Sequence, residues 1–339
     1  MNQTADNFMK RYGRRLVRLG SYSVLLRPRQ VMACALGIIG LLLFALWMLP
    51  QGQFDTPLSS FWHAVGNSDV QRMTALLAGA MLGAAGAALQ TLSRNGLADP
   101  GLVGIKEGAA LAVVGMAIFA PDVAPAWRSV AGLAGGLSIA LVVALMARDM
   151  SKVRFILIGI GISWLLHGVI ACFMTTADIR NVQTALIWLA GSLHAASWET
   201  VQSMLYWAVA GLALLLIGAR NIDTLILGRT TATGLGTNVS VTSALCFLAS
   251  CVLTSAAVAA VGSLGFVGLI APHLARLTLG VRQASLLIGS ILYGAGLVLL
   301  ADSIGRLVFA PLQIPAGIVM AIVGVPFLLV LLWQRRDQL

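Results

Sequence analysis

Charge is what this sequence lacks most. Of its 339 residues only 10% are Asp, Glu, Lys or Arg, while 59% are hydrophobic. Soluble domains run near ~25% charged and ~45–50% apolar, so a chain this poor in charge cannot cover a water-facing surface. A soluble globular enzyme is excluded, and the apolar excess also excludes a disordered chain. Cysteine and histidine are scarce, with four of each. Cys34, Cys172, Cys246 and Cys251 all lie in apolar runs and none forms a CxxC pair. Neither a disulfide framework nor a thiolate metal site is indicated, and the four read as small packing residues. His63, His167, His194 and His273 are scattered, without HxxE, HExxH or paired-carboxylate spacing, so no metal site is expected. There is no nucleophile elbow, Walker sequence or dinucleotide fingerprint, and the GxG at Gly159–Gly161 sits in an apolar run where helix packing explains it. Catalysis by this chain is not expected.

What is present is a series of long apolar runs. If roughly 200–230 residues lie in spans of ~20, the chain crosses a membrane about ten or eleven times. The runs predict spans at 31–49, 73–92, 103–120, 129–147, 155–175, 201–219, 241–261, 263–279, 284–306 and 315–333. The expected fold is therefore an all-α integral membrane bundle of about ten helices with both termini cytoplasmic. Residues 1–30 form a basic arm holding Lys10, Arg11, Arg14, Arg15, Arg18, Arg27 and Arg29, too long and basic for a cleaved signal. It reads as a cytoplasmic segment on anionic lipid rather than a nucleic-acid contact. The spanning domain covers 31–334, with a cytoplasmic loop at 220–240 and a tail at 335–339. Counted loop by loop, 18 of the 22 basic residues fall on the inner side and only Arg72, Arg128, Arg180 and Arg306 outside. That asymmetry is the positive-inside pattern, and it accounts for most of the +10 net charge.

Glycine is abundant, 36 residues. It recurs in LLAGAMLGAAGAALQ, AGLAGGLSIAL and at Gly159, Gly161 and Gly168, where small faces let helices approach closely in lipid. Pro272, in a short glycine-rich run, predicts a broken or re-entrant helix there, and the last span also carries a helix-disrupting residue, Pro326. Within the spans His167 is the only ionisable group well inside, with Asp302 toward the outer end of the ninth. Proton- or ion-coupled carriers usually need more. Energy for transport is thus expected from a partner. The loop ARNIDTLILGRTTATGLGTNVSV is long and only weakly polar. Leu225, Ile226, Leu227, Ala232, Leu235 and Val239 suggest one or two short amphipathic helices broken near Gly228 and Gly236, suited to a groove on a soluble partner.

GSLGFVGLIAPHLARLTLG, Gly262 to Gly280, resembles the signature of the permease subunits of ATP-binding-cassette importers for iron–siderophore complexes, haem and cobalamin. That signature, roughly GFVGLxxPHxxR, is matched by Gly265, Phe266, Val267, Gly268, Leu269, Pro272, His273 and Arg276. SRNGLADPGLVGIKEGA resembles the family's RNPLADPxxLGxxxGA through Asn95, Asp99 and Pro100, and LGRTTATGLG resembles its coupling loop LGxxxAxxLG. ADSIGRL, QIPAGIV and GVPFLL match its last two spans.

The resemblance implies a non-enzymatic subunit of the inner (plasma) membrane. Two such subunits would enclose a pathway lined in part by the fifth and tenth spans. Two ATPase subunits would carry the ATP–Mg, with no cofactor bound by this chain. A periplasmic or lipid-anchored substrate-binding protein would dock outside. Leu227, Gly228, Arg229, Thr230, Thr231, Ala232, Leu235 and Gly236 would engage the ATPases, and Arg306 and Arg72 the binding protein. A ferric siderophore is the expected cargo because it is the family's commonest. Cobalamin or haem is the alternative cargo, and a secondary carrier the rival mechanism. Arg229 stands where the family commonly has an acid, SDVQR replaces RLPR, Gly96 replaces a proline and Met320 a threonine. These departures favour a heterodimer with a paralogous permease over a homodimer.

Overall fold

The computed structural model describes residues 61–120, 123, 125–147, 153–280, 282–309 and 312–334, with backbone positions 15–19, 22–26, 36, 37 and 40 ahead of them. Most of the basic arm, most of the first expected span and the 335–339 tail lie outside the described residues. Two strands in the arm, β1 (Arg15–Leu19) and β2 (Tyr22–Leu26), pair antiparallel. Every other described element is helical: α1 (Phe61–Ser93), a 3-10 turn (Pro100–Val103), α2 (Ile105–Phe119), α3 (Pro125–Ala147), α4 (Val153–Thr176), α5 (Ile179–Leu189), α6 (Trp198–Leu225), α7 (Arg229–Gly234), α8 (Val239–Val261), α9 (Val267–Leu279), α10 (Gln283–Leu307) and α11 (Ala316–Gln334).

Seven of these, α1, α3, α4, α6, α8, α10 and α11, are long and apolar enough to cross a membrane. Each overlaps an expected span. The third and eighth expected spans are helical but short: α2 has 15 residues and α9 has 13. At ~1.5 Å per residue, a 13-residue helix falls well short of a ~30 Å hydrocarbon core. The break anticipated around Pro272 therefore appears as a short helix entered through two left-handed residues, Gly262 (φ 77°) and Phe266 (φ 66°).

α1 and α8 are buried along most of their spanning length, and α3, α6 and α10 pack against one or both of them. Small residues set these crossings. A Cβ on Gly79 or Gly83 would strike the backbone of Gly294 or Ser290 on α10. A Cβ on Gly86 would strike the Gly268 carbonyl on α9, and one on Gly136 the Ser255 hydroxyl on α8. Gly108 on α2 and Gly135 on α3 approach in the same way. Gly161 and Gly168, expected to pack helices together, have nothing within 4 Å of an added Cβ, so inside this chain they serve no close crossing.

Proline creates the other constraint. Pro272 has no N–H, so the Gly268 carbonyl four residues earlier loses its helical donor. Gln90 of α1 supplies the replacement, its Nε2 donating to Gly268 O at 3.1 Å in a buried position.

Two outcomes follow from this packing. Gly79→Ala should lower thermal stability in detergent by about 1–3 kcal/mol through overpacking, while Gly161→Ala should be neutral or slightly stabilising through helix propensity. Gln90→Leu should cost about 1–3 kcal/mol by stranding a buried carbonyl. A double-mutant cycle with Pro272→Ala checks the latter, since the restored N–H should shrink the Gln90→Leu loss; independent, additive losses would contradict it.

Candidate functional site

Three places carry the residues singled out from the sequence. The first is the turn between α6 and α8. α6 continues beyond its expected end at 219 to Leu225, and Ile222, Leu225, Cys246 and Val239 form a small apolar cluster beneath the turn. Gly228, at φ 99°, reverses the chain, and one short helix, α7, fills the interval to Gly236, at φ 81°. Ala232 is fully buried and Thr237 N–H donates to its carbonyl at 3.0 Å, closing the loop. The Thr224 and Thr237 hydroxyls lie 2.9 Å apart. Leu227 and Leu235 are 58% and 62% exposed, and Arg229, Thr230 and Thr231 are exposed beside them. The result is a rigid knuckle presenting apolar and basic groups. Asp223, just before it, accepts the Gln283 N–H at 2.8 Å at the start of α10, and Thr91 of α1 donates to Gln283 Oε1 at 2.8 Å.

At the far end of α10 lies the second place. Arg306 and Arg72, expected at an exposed docking face, are only 7% and 4% exposed. Arg306 Nε sits 3.9 Å from Asp302, four residues back, and Gln71 Nε2 donates to Asp302 at 2.7 Å. Arg306 and Asp302 line a cavity of about 410 Å³ with His194 and Gln313, which are 2.7 Å apart. A partner meeting Arg306 through this cavity must reach into it. A span boundary read from hydropathy says nothing about depth beneath the loops, so the burial of the Arg306 and Arg72 side chains was not legible from it.

The third place is built on the Asn95–Pro100 motif, and the cavity beside it was not anticipated. Arg94 (φ 49°) ends α1, the Asn95 carboxamide accepts Leu97 N–H at 2.9 Å, and the link turns back into the bundle. Asp99 caps the 3-10 turn by accepting Gly101 N–H at 3.1 Å, Pro100 fits the first turn position, and Gly104 (φ 83°) starts α2. Asp99 and Pro100 lie against Gly268 of α9, so the two most distinctive sequence motifs touch. Asn95, Asp99, Pro100 and Gly268 are thus builders of this fold-back.

Beside it opens a cavity of about 380 Å³. Asp99, Lys106, Glu107, Ser163 and His167 line its polar part, and Trp164, Phe266, Leu269 and Leu328 are among its apolar lining. Glu107 is buried, with Lys106 Nζ 3.6 Å from Oε1 and the Ser163 hydroxyl 3.4 Å from Oε2. His167 Nδ1 lies 2.9 Å from the Ser163 carbonyl, which requires a proton on that nitrogen. Burial pushes the Asp99 carboxyl, in the link outside the spanning helices, up to about 6, with Lys106 and the Gly101 N–H pulling it down. It is still mostly a carboxylate at neutral pH. Lys106 and Glu107, counted from sequence as inner-loop charges, thus line one cavity with His167 of α4. Pro272, His273 and Arg276 sit farther along α9, the His273 ring edge-on to Phe327 at 5.6 Å. Among the described residues, no group of three His, Cys, Asp or Glu could hold a metal ion.

Residues 31–334 match the FecCD transport family. The iron(3+)-hydroxamate import system permease protein of Bacillus subtilis (strain 168) is 37% identical over 270 residues, covering 77% of this chain and 80% of that protein. The hemin transport system permease protein of Yersinia pestis is 34% identical over 287 residues, covering 82% and 86%. The cobalamin import system permease protein of Halobacterium salinarum (strain ATCC 700922 / JCM 11081 / NRC-1) is 37% identical over 261 residues, covering 76% and 70%. Among solved structures, one described as a metal-chelate-type ABC transporter in an inward-facing conformation superposes with a TM-score of 0.80 at 28% identity, over 90% of this chain and 99% of that one.

Because Arg306 is buried beside Asp302, Arg306→Ala should destabilise the chain by about 3–5 kcal/mol, the usual result of stranding one member of a buried pair. Arg306→Ala with Asp302→Ala should recover part of that loss in detergent melts. A single variant as stable as the parent would show that the pair is not structural.

Proposed function

The chain belongs to the FecCD transport family, and from that premise we propose that it is the membrane permease subunit of an ATP-driven importer. In this reading it forms part of the translocation pathway for a ferric siderophore handed over by a substrate-binding protein. It has no catalytic role of its own, since ATP–Mg is held and hydrolysed on two separate ATPase subunits. A second permease subunit completes the pathway, a paralogue being favoured over a second copy by the motif departures. Cobalamin or haem is the alternative cargo, which the named haem and cobalamin relatives keep open.

The observation that carries the proposal is the α7 knuckle. It projects exposed Leu227 and Leu235 from the end of the bundle that the charge count places in the cytoplasm, yet it is anchored through buried Ala232 and through Asp223 to α10. A transmitter needs both properties, a face for a moving partner and a stiff tie to the spanning helices. A proton- or sodium-driven carrier would have no use for such an element.

Gly228→Pro demands a φ near −65° where the chain holds 99°, and Ala232→Leu puts a large side chain where Ala is fully buried. Both variants should still insert in the membrane, but ATP-dependent uptake of a ferric siderophore in cells should fall to background. Uptake that survives both would refute the coupling role. Uptake that ignores ATP depletion and collapses with the proton gradient would favour the secondary carrier instead.

A further inference from the structure

Relatives named for hydroxamate, haem and cobalamin import are 34–37% identical to this chain, so overall similarity singles out no cargo. The cavity beside the 94–104 link carries chemistry that does. We propose that it is a side pocket of the translocation pathway that takes an alkylammonium arm of the cargo, favouring amine-bearing ferric chelates over polyanionic ones. This rests on the permease reading above and adds to it a class of substrate.

Four observations support the assignment. The volume, about 380 Å³, is at the low end of ligand pockets (~300–1,000 Å³), enough for an arm rather than a whole tris-chelate. Two carboxylates, Asp99 and Glu107, face one ammonium, Lys106, which already lies against Glu107 at 3.6 Å. The pocket thus holds a net negative charge once Asp99 is ionised. His167, with Nδ1 donating to the Ser163 carbonyl, presents Nε2 as an acceptor when neutral, suited to an incoming N–H. Trp164 and Phe266 add aromatic faces to the wall, which attract cations. A polyanionic chelate would meet two carboxylates with one base already engaged, and beside the buried Glu107 that repulsion is weakly screened.

The position also suits a pathway. Trp164 is 75% exposed on α4, a helix buried over little of its length, and Leu328 reaches the cavity from α11. Membrane helices rarely carry ionisable groups without a functional reason, and here Glu107 is buried at the start of α2 rather than left in a loop.

The full chain in lipid nanodiscs provides the test. Tryptophan fluorescence is titrated with a linear ferric trihydroxamate bearing a primary amine, its N-acetylated form, and a trianionic ferric tris-catecholate. The reporter is the quench that Trp164→Phe removes. The amine-bearing chelate should bind about tenfold more tightly than its N-acetylated form, as expected for a charge-assisted hydrogen bond to a buried carboxylate, and the tris-catecholate should bind weakest. Asp99→Asn and Glu107→Gln, which keep an acceptor oxygen for Gly101 and Ser163, should each bring the first ratio to within about twofold. Equal binding of all three chelates to the unaltered chain overturns the pocket, and that comparison needs no variant to fold. So does an amine preference that survives either substitution. ATP-driven uptake in cells separates the two levels. If uptake of no chelate depends on this chain, the permease reading fails. If uptake depends on the chain but amine and acetamide forms enter equally, only the pocket fails.

Discussion

Everything near the centre of this bundle depends on backbone crowding at Gly268. Gly86 of α1 meets its carbonyl, the Asp99–Pro100 turn lies against its α-carbon, and Gln90 donates to the carbonyl that Pro272 leaves without a helical partner. A side chain at position 268 would push the turn out of the bundle, and the turn is what brings Lys106 and Glu107 to His167. The GFVGLIAPH and NGLADP motifs are therefore two halves of one device. One supplies the proline that frees a carbonyl and the glycine that makes room, and the other supplies the capped turn that fills the room. In a membrane the freed carbonyl has no water to fall back on, which is why a glutamine is held inside the apolar face of α1.

The same economy ties the two ends of the molecule together. α1 and α10 meet backbone to backbone at Gly79, Gly83, Ser290 and Gly294, so they cannot slide without collision. At one end of this pair Gln283 is held by Asp223 and Thr91, directly behind the α7 knuckle. At the other end, ~30 Å away along a helix rising ~1.5 Å per residue, Asp302 is held by Gln71 beside Arg306. A displacement of the knuckle that moved α10 would be felt at the outer cavity. Packed helices of this kind shift as units because their cores are bistable rather than elastic.

How much of this could be read from the sequence depended on whether the signal was local. Nine of the ten expected spans coincide with helices, because a run such as 241–261 announces itself by composition alone. The knuckle was legible as well, since Gly228 and Gly236 punctuate it. α5 was not expected, although Ile179, Val182, Leu186 and Leu189 follow helical spacing behind Asp178; at 11 residues it is too short to stand out as a span. The depth of Arg306 and the inward fold of the 94–104 link were illegible for a different reason. A polar stretch between two apolar runs looks like a surface loop by composition, and only the partners it meets, here Gly268 and the Ser163–His167 turn of α4, draw it inside. Gly161 and Gly168 show the converse, a small-residue pattern that meets no close neighbour in this chain.

Low charge content argues against ion coupling, and the ionisable cluster of Asp99, Lys106, Glu107 and His167 argues the other way. What resolves the conflict is how the charges are engaged. Glu107 holds Lys106 and receives the Ser163 hydroxyl, Asp99 is spent on the Gly101 amide, and His167 is turned toward a backbone carbonyl. A proton relay needs groups that hand a proton on in sequence toward both sides of the membrane. These instead form a closed set around one cavity, each fixed by a neighbour that would have to be released before a proton could move. Such a set can recognise a charge that passes by, but it is poorly built to drive transport with one. The scarcity of charge elsewhere and its concentration here then fit one proposal: a chain that selects what passes and takes its driving energy through the knuckle.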